Sequence, residues 1–127
     1  MQTIKKNGIE FSIVNGHGNN SSMKNRFVYL YFINIKNTNI FPVQIIKEQW
    51  KITSGIGKVK YLTYEGLATR ESPSLNQHET YEYGVWFELD APTGILEGKY
   101  VLQDKSNGNL FEAALPSIIA IAPYLLN

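Results

Sequence analysis

Phe27-Val28-Tyr29-Leu30-Tyr31-Phe32-Ile33-Asn34-Ile35 is the stretch on which the fold turns. Its odd positions, Phe27, Tyr29, Tyr31, Ile33 and Ile35, are all apolar or aromatic, while the even ones mix Val28, Leu30, Phe32 and Asn34. A repeat of two is the side-chain period of a β-strand rather than the 3.6 of a helix. The stretch predicts a long strand buried on one face and partly covered on the other. Outward from it the same period recurs. Between Val43 and Thr53, Ile46, Trp50 and Ile52 form one face, and Lys47, Gln49 and Lys51 form the other. Tyr81, Tyr83, Val85 and Phe87 alternate with Glu82, Gly84, Trp86 and Glu88. Further strands are predicted over Ile9 to Val14, Lys58 to Tyr64, Gly98 to Gln103, Leu110 to Leu115 and Ser117 to Ala122.

Turn chemistry separates these runs. Asn37-Thr38-Asn39 and Ser54-Gly55-Ile56-Gly57 supply residues that tolerate positive φ, and Asn107-Gly108 is a strong hairpin dipeptide. Pro42 and Pro116 mark strand starts or edges, because proline cannot donate to a central ladder. No window shows helical spacing with a cap. Seven or eight short strands in one domain spanning residues 1–127 predict an all-β, two-sheet antiparallel sandwich of immunoglobulin-like type, with a small closed barrel as the rival. The segment Asn15 to Ser22, polar and glycine-rich, is expected to be a mobile loop. The apolar run Ile118 to Leu126, interrupted by Pro123, is read as a buried final strand, far short of the roughly 20 residues that a membrane-spanning helix needs.

Composition excludes whole classes of chemistry. The 127 residues contain no Cys, which removes disulfides, thiol nucleophiles and Cys-based metal sites together. A net charge of +1, from 12 Lys+Arg against 11 Asp+Glu, gives no global attraction to nucleic acid or to an anionic membrane. No secretory signal is read at the N-terminus, so the cytoplasm is the expected compartment. Charge is uneven along the chain: nine Lys/Arg stand against two acidic residues up to residue 60, and three against nine afterwards. Early and late strands that interleave in a sandwich would bring these opposite charges together across it.

No catalytic constellation stands out. The two histidines, His17 and His78, belong to no metalloprotease or triad motif; His17 sits in the glycine-rich loop, and His78 is read as a turn residue. Glu79, Glu82, Glu88, Asp90, Glu97 and Asp104 show no spacing that singles out an acid/base pair or a cation loop, and Asp104 to Gly108 is read as a hairpin turn. Gly16-His17-Gly18 and Gly55-Ile56-Gly57 do not complete a dinucleotide fingerprint and precede no helix. Aromatics beside lysine at Trp50-Lys51 and Lys58 to Tyr61 are read as core and rim rather than as a stacking platform for nucleic acid. The expectation is a chain that is not an enzyme, with no catalytic residues, no metal site and no cofactor.

Phe41-Pro42-Val43-Gln44-Ile45-Ile46, Trp50 to Lys58, Tyr64-Glu65-Gly66, Pro73, Tyr81-Glu82-Tyr83 and Pro92-Thr93-Gly94-Ile95-Leu96-Glu97-Gly98-Lys99-Tyr100 together resemble the ApaG family of small bacterial proteins. The likeness extends from about Phe27 to Pro123. It implies a fibronectin type III-like β-sandwich and no established catalytic activity, with a link to cobalt resistance and magnesium efflux. The domain's reuse inside eukaryotic F-box and polymerase-interacting proteins implies a protein-interaction module. Its partner would be an unidentified protein, and self-association through sheet edges would give a homodimer. The alternative is a sensor of a phosphate compound or a divalent cation, since the family carries a glycine-rich stretch suggestive of pyrophosphate binding. Here that stretch places Tyr64 at the first glycine, keeps Gly66 at the second and places Thr69 at the third. Glu65, Gly66 and Arg70 are then the candidate ligand residues: Arg70 for bidentate hold of a phosphate, Glu65 for a cation.

Overall fold

A computed structural model describes residues 2–16 and 26–122. His17 and most of the glycine-rich loop lie outside the described residues, as does the chain beyond Ala122. Ten strands follow one another: β1 (Gln2–Lys6), β2 (Ile9–Asn15), β3 (Phe27–Asn37), β4 (Val43–Ser54), β5 (Val59–Glu65), β6 (Ser74–Leu75), β7 (Thr80–Leu89), β8 (Thr93–Asp104), β9 (Leu110–Ala114) and β10 (Ile118–Ile121). They form two antiparallel sheets, one in the order β1-β2-β3-β7, the other in the order β10-β8-β4-β5 with β6 beside β4 and β9 beside β8. The all-β, two-sheet architecture is the sandwich and not the closed barrel. Among the described residues there is no helix, and so none long and apolar enough to cross a membrane.

The period-two pattern of β3 is what builds the core. Tyr29, Tyr31, Ile33 and Ile35 all point inward, opposite Phe11 and Ile13 of β2 and Tyr83, Val85 and Phe87 of β7. The second layer answers with Ile45, Trp50, Ile52, Leu96, Tyr100 and Leu102. Aromatic rings lock the two layers: Phe11 stacks on Tyr100 at 5.2 Å, and Trp50 meets Phe87 edge-on at 4.7 Å. The interleaved topology also joins the basic early chain to the acidic late one. Arg26 forms a bidentate pair with Glu88 at 2.7 and 2.9 Å, and Lys58 reaches Asp90 at 3.5 Å.

Four expectations need correction. Ten strands replace seven or eight, because β1 and β6 carry too few apolar residues to show a period; β1 is an edge strand in which only Ile4 is apolar. It is joined to β2 by Asn7-Gly8, with φ of 51° and 75°, a left-handed pair suited to a two-residue hairpin. Asn37-Thr38-Asn39 is not left-handed; instead the buried Asn37 side chain accepts from the Asn39 N–H and donates to the carbonyls of Phe41 and Leu75. The final strand is buried on one side only: β10 turns Ile119 outward to solvent, and the part of the expected run beyond Ala122 lies outside the described residues. Finally, β4 is not a single two-faced run. A bulge between Ile45 and Lys47 shifts its register against β8, so Ile45 faces the core before it, whereas Glu48, Trp50 and Ile52 do so after it.

Candidate functional site

The bulge in β4 has a chemical outcome: it places Glu48 with Trp50 on the face turned to the core, fully buried. A carboxylate there must find donors or lose several kcal/mol to desolvation. It finds three. Glu48 Oε2 accepts the Trp50 indole N–H at 2.6 Å and the Tyr83 hydroxyl at 2.7 Å, while Oε1 accepts the backbone N–H of Ala68 at 2.7 Å. Tyr83 spends its proton on Glu48, so Tyr100, 2.5 Å away, donates to the Tyr83 oxygen. Burial pushes the Glu48 carboxyl above the usual range, and the Tyr83, Trp50 and Ala68 donors pull it back only in part. The same burial drives both phenols far upward, keeping them protonated as donors.

Ala68 belongs to the loop that follows β5, where the resemblance places the glycine-rich stretch. Gly66 is left-handed at φ +73°, and a Cβ on it would stand 2.4 Å from the Glu71 carbonyl oxygen, so glycine is required there. Arg70 is also left-handed, at φ +70°. The loop closes on itself and on β4. Gly66 N–H donates to Ile46 O, Leu67 N–H to Glu71 O, Arg70 N–H to Leu67 O, and Ser72 Oγ to Ile45 O. A phosphate cradle needs convergent amides that are free to donate. Here the amides of Gly66, Leu67 and Arg70 donate to backbone carbonyls, and the one at Ala68 donates to the chain's own Glu48 carboxyl. The loop is turned toward an internal carboxyl.

The three candidate residues line neither the cleft between β5 and β7 nor the groove over β4 and β8. Glu65 is exposed and sits 3.7 Å from Lys47 of the neighbouring strand; Gly66 is buried under the loop; Arg70 is exposed and, among the described residues, makes no ion pair. His78 occupies a turn at φ +70°, with its N–H donated to Asn37 O, as its turn reading requires. Asp104 caps its own hairpin by accepting from the Ser106 N–H and hydroxyl. No group of three His, Asp or Glu side chains among the described residues is close enough to hold a metal. A cleft of about 400 Å3 lies between β5 and β7, lined by Lys58, Lys60, Glu88 and Asp90, but its charged groups are already engaged: Lys58 with Asp90, Glu88 with Arg26, and Lys60 with the Glu88 carbonyl. The feature missed in the sequence is Glu48. Its signal was present, since a glutamate stands at the even position between Ile46 and Trp50, in the middle of an otherwise apolar face.

What the surface offers instead is apolar area on both outer sheet faces. On the four-stranded sheet Val14, Phe32 and Trp86 are 42%, 40% and 55% exposed, in adjacent strands. On the six-stranded sheet Val59, Ile95 and Ile119 are exposed in one row.

Comparison with known proteins matches the ApaG domain to residues 17–104. Protein ApaG of Aromatoleum aromaticum is 31% identical over 110 residues, covering 87% of this chain and 85% of that protein. Protein ApaG of Mesorhizobium japonicum is 34% identical over 94 residues, covering 74% and 71%. A crystal structure of a Bordetella pertussis protein named ApaA superposes with a TM-score of 0.82 at 27% identity, over 91% of this chain and 94% of that one. The superposition, the matched domain and the sequence marks agree, and the chain belongs to the ApaG family.

Proposed function

We propose that this chain is a non-enzymatic interaction module of the cytoplasm that works by docking a protein partner on the outer face of its four-stranded sheet. One observation carries the reading: Trp86, Phe32 and Val14 are exposed side by side on three adjacent hydrogen-bonded strands. Phe32 pairs across strands with Val14 on one side and Gly84 on the other, and Trp86 pairs with Leu30 in the next row. Leu30 and Phe32 close over Gly84, where a Cβ would lie 3.3 Å from each, so the patch is flat beside the protruding indole. A tryptophan on a preorganised apolar surface is the residue type most enriched among binding hot spots. Such a site suits a partner that offers an apolar pocket rimmed by polar groups. The association with cobalt resistance and magnesium efflux implied by the family would then run through that partner rather than through a metal held by this chain.

Trp86→Ala tests the proposal without touching the core. Proteins captured by the wild-type chain are compared with those captured by the variant, and a partner lost on substitution is purified and titrated. We expect its affinity to fall roughly thirtyfold, corresponding to a hot-spot loss of about 2 kcal/mol. Identical captured sets, or an unchanged affinity, would count against the site.

A sensor of a phosphate compound or divalent cation at Glu65, Gly66 and Arg70 is the second reading, favoured by the exposed guanidinium of Arg70 beside the Gly66 turn, which has no ion pair among the described residues. The engaged amides of that loop weigh against it. A thermal-shift panel with pyrophosphate, dinucleotides, magnesium and cobalt separates the two readings. A ligand present at about 100 times its dissociation constant stabilises a fold by roughly 2.7 kcal/mol, so a saturable rise abolished by Arg70→Ala would establish the sensor.

A further inference from the structure

We infer that two copies of this chain associate face to face through the outer surface of the six-stranded sheet, about a twofold axis parallel to the strands and midway between β4 and β8. The inference concerns the sheet opposite the partner face and does not rest on the partner reading.

The argument is one of register. Across β5, β4, β8 and β10 the outward positions fall into rows. The first row is Val59, Thr53, Ile95 and Ile119; the second is Tyr61, Lys51 and Glu97, continued by Ser117 just ahead of β10; the third is Thr63, Gln49, Lys99 and Ala114 of β9. A fourth row holds Glu65, Lys47, Val101 and Glu112. Two of the lysines are neutralised within the chain, Lys47 by Glu65 at 3.7 Å and Lys99 by Glu112 at 3.5 Å. Lys51 and Glu97 stand directly opposite each other on β4 and β8, yet neither has an ion pair among the described residues.

A twofold axis parallel to the strands keeps the rows and exchanges the columns. Lys51 of each copy then faces Glu97 of the other, giving two equivalent pairs. The apolar row meets itself, Thr53 against Ile95 and Val59 against Ile119. Tyr61, 71% exposed at the β5 edge, lands on Ala114 to Ser117 of the second copy, where the break between β9 and β10 ends a groove of about 470 Å3 floored by Gly98. An in-plane axis at right angles to this one, drawn through the Lys51–Glu97 row, would set Lys51 on Lys51, Glu97 on Glu97 and Ile95 on Lys99. An isologous interface needs a self-complementary surface, and aligned stacking of two twisted sheets is the geometry that sandwiches already use. The charges of this face complement themselves, which points to a second copy of the chain as its occupant. The contact is through the sheet face instead of the strand edges.

Sedimentation equilibrium over a range of concentrations tests this. The wild-type chain is expected to show a concentration-dependent species of twice the chain mass. Lys51→Glu sets like charges against Glu97 twice in the dimer and should raise the dissociation constant at least about tenfold. The double variant Lys51→Glu with Glu97→Lys restores both pairs and should return it to within about threefold of wild type. Ile119→Asp, at an outward position 68% exposed, should also dissociate the dimer while circular dichroism stays unchanged. If the charge variants fail to fold, Ile119→Asp decides alone. A wild-type monomer at every concentration, a dimer indifferent to these changes, or a double variant no better than the single one overturns the inference. A persistent monomer would leave the face to a foreign protein.

Discussion

Glu48 shows how a single buried charge can organise its surroundings. Its three donors come from its own strand, from the loop after β5 and from the opposite sheet, so the carboxylate joins pieces of chain that are remote in sequence. Every buried side-chain polar atom among the described residues is satisfied, and this cluster is the largest such arrangement in the core. Glu48→Gln keeps the shape but replaces one acceptor oxygen with an amide that can only donate. Losing one or two of the three bonds and leaving buried donors unpaired is expected to cost about 2–4 kcal/mol in urea unfolding. The pH dependence has a definite sign. Because the folded carboxyl lies above its unfolded value, its contribution is fully present below the unfolded value of about 4.5 and is lost as pH rises through the folded one. Exposed Glu88, held low by Arg26, acts in the opposite sense and loses its contribution as pH falls. The comparison that isolates Glu48 is therefore wild type against Glu48→Gln. Their stability difference should shrink as pH is raised from about 4 to about 8, and a difference that grows over that range would reverse the assignment.

Among the elements, those legible in the sequence were the ones whose faces differ strongly in polarity. β3 and β7 announce themselves through unbroken alternation, and the β4–β5 and β8–β9 turns through glycines that prove to be left-handed at Gly57 and Gly108. Elements of low contrast escaped: β1 has one apolar residue, and β6 is only two residues long. The Asn7-Gly8 dipeptide was the readable sign of β1, but without a periodic run before it no strand was assigned. The candidate site was hidden for a different reason. A bulge is a two-against-one relation between strands, and the donors to Glu48 lie 2, 20 and 35 positions away. One strand alone displays neither. Gly98 carries the same lesson. It pairs across strands with Trp50, and the indole occupies the place of a side chain, 2.6 Å from where a Cβ would be. Since Trp50 is buried and fixed through Glu48, Gly98→Ala is expected to destabilise by about 1–3 kcal/mol through overpacking. Gly57→Ala, in open space at φ +88°, should cost only about 1 kcal/mol from backbone strain. Equal losses in parallel denaturation curves would refute the packing account of Gly98.

At the scale of the molecule, the two sheets divide the labour. Their inner faces are committed to one aromatic-rich core, and their outer faces carry different chemistry: a bare aromatic patch on one, apolar and charged rows on the other. The layers are about 10 Å apart, and the two outer surfaces share no side chain, so their binding energies should be separable. Additivity is the quantitative form of that statement, since sites more than roughly 7–10 Å apart with no common partner couple by only a few tenths of a kcal/mol. Trp86→Ala is therefore expected to weaken partner binding roughly thirtyfold while leaving the monomer–dimer equilibrium within about twofold of wild type. Lys51→Glu should do the reverse, giving a monomer that still captures the partner through Trp86. Measuring both readouts on the two single variants and on the double variant closes a double-mutant cycle. A Trp86→Ala chain that no longer dimerises would mean that the sandwich transmits a change between its faces, and the rigid two-faced module would then give way to a coupled one. The aromatic contacts of Phe11 with Tyr100 and of Trp50 with Phe87, together with the bonds of Tyr83 to Glu48 and Tyr100, tie one sheet to the other and offer such coupling its routes.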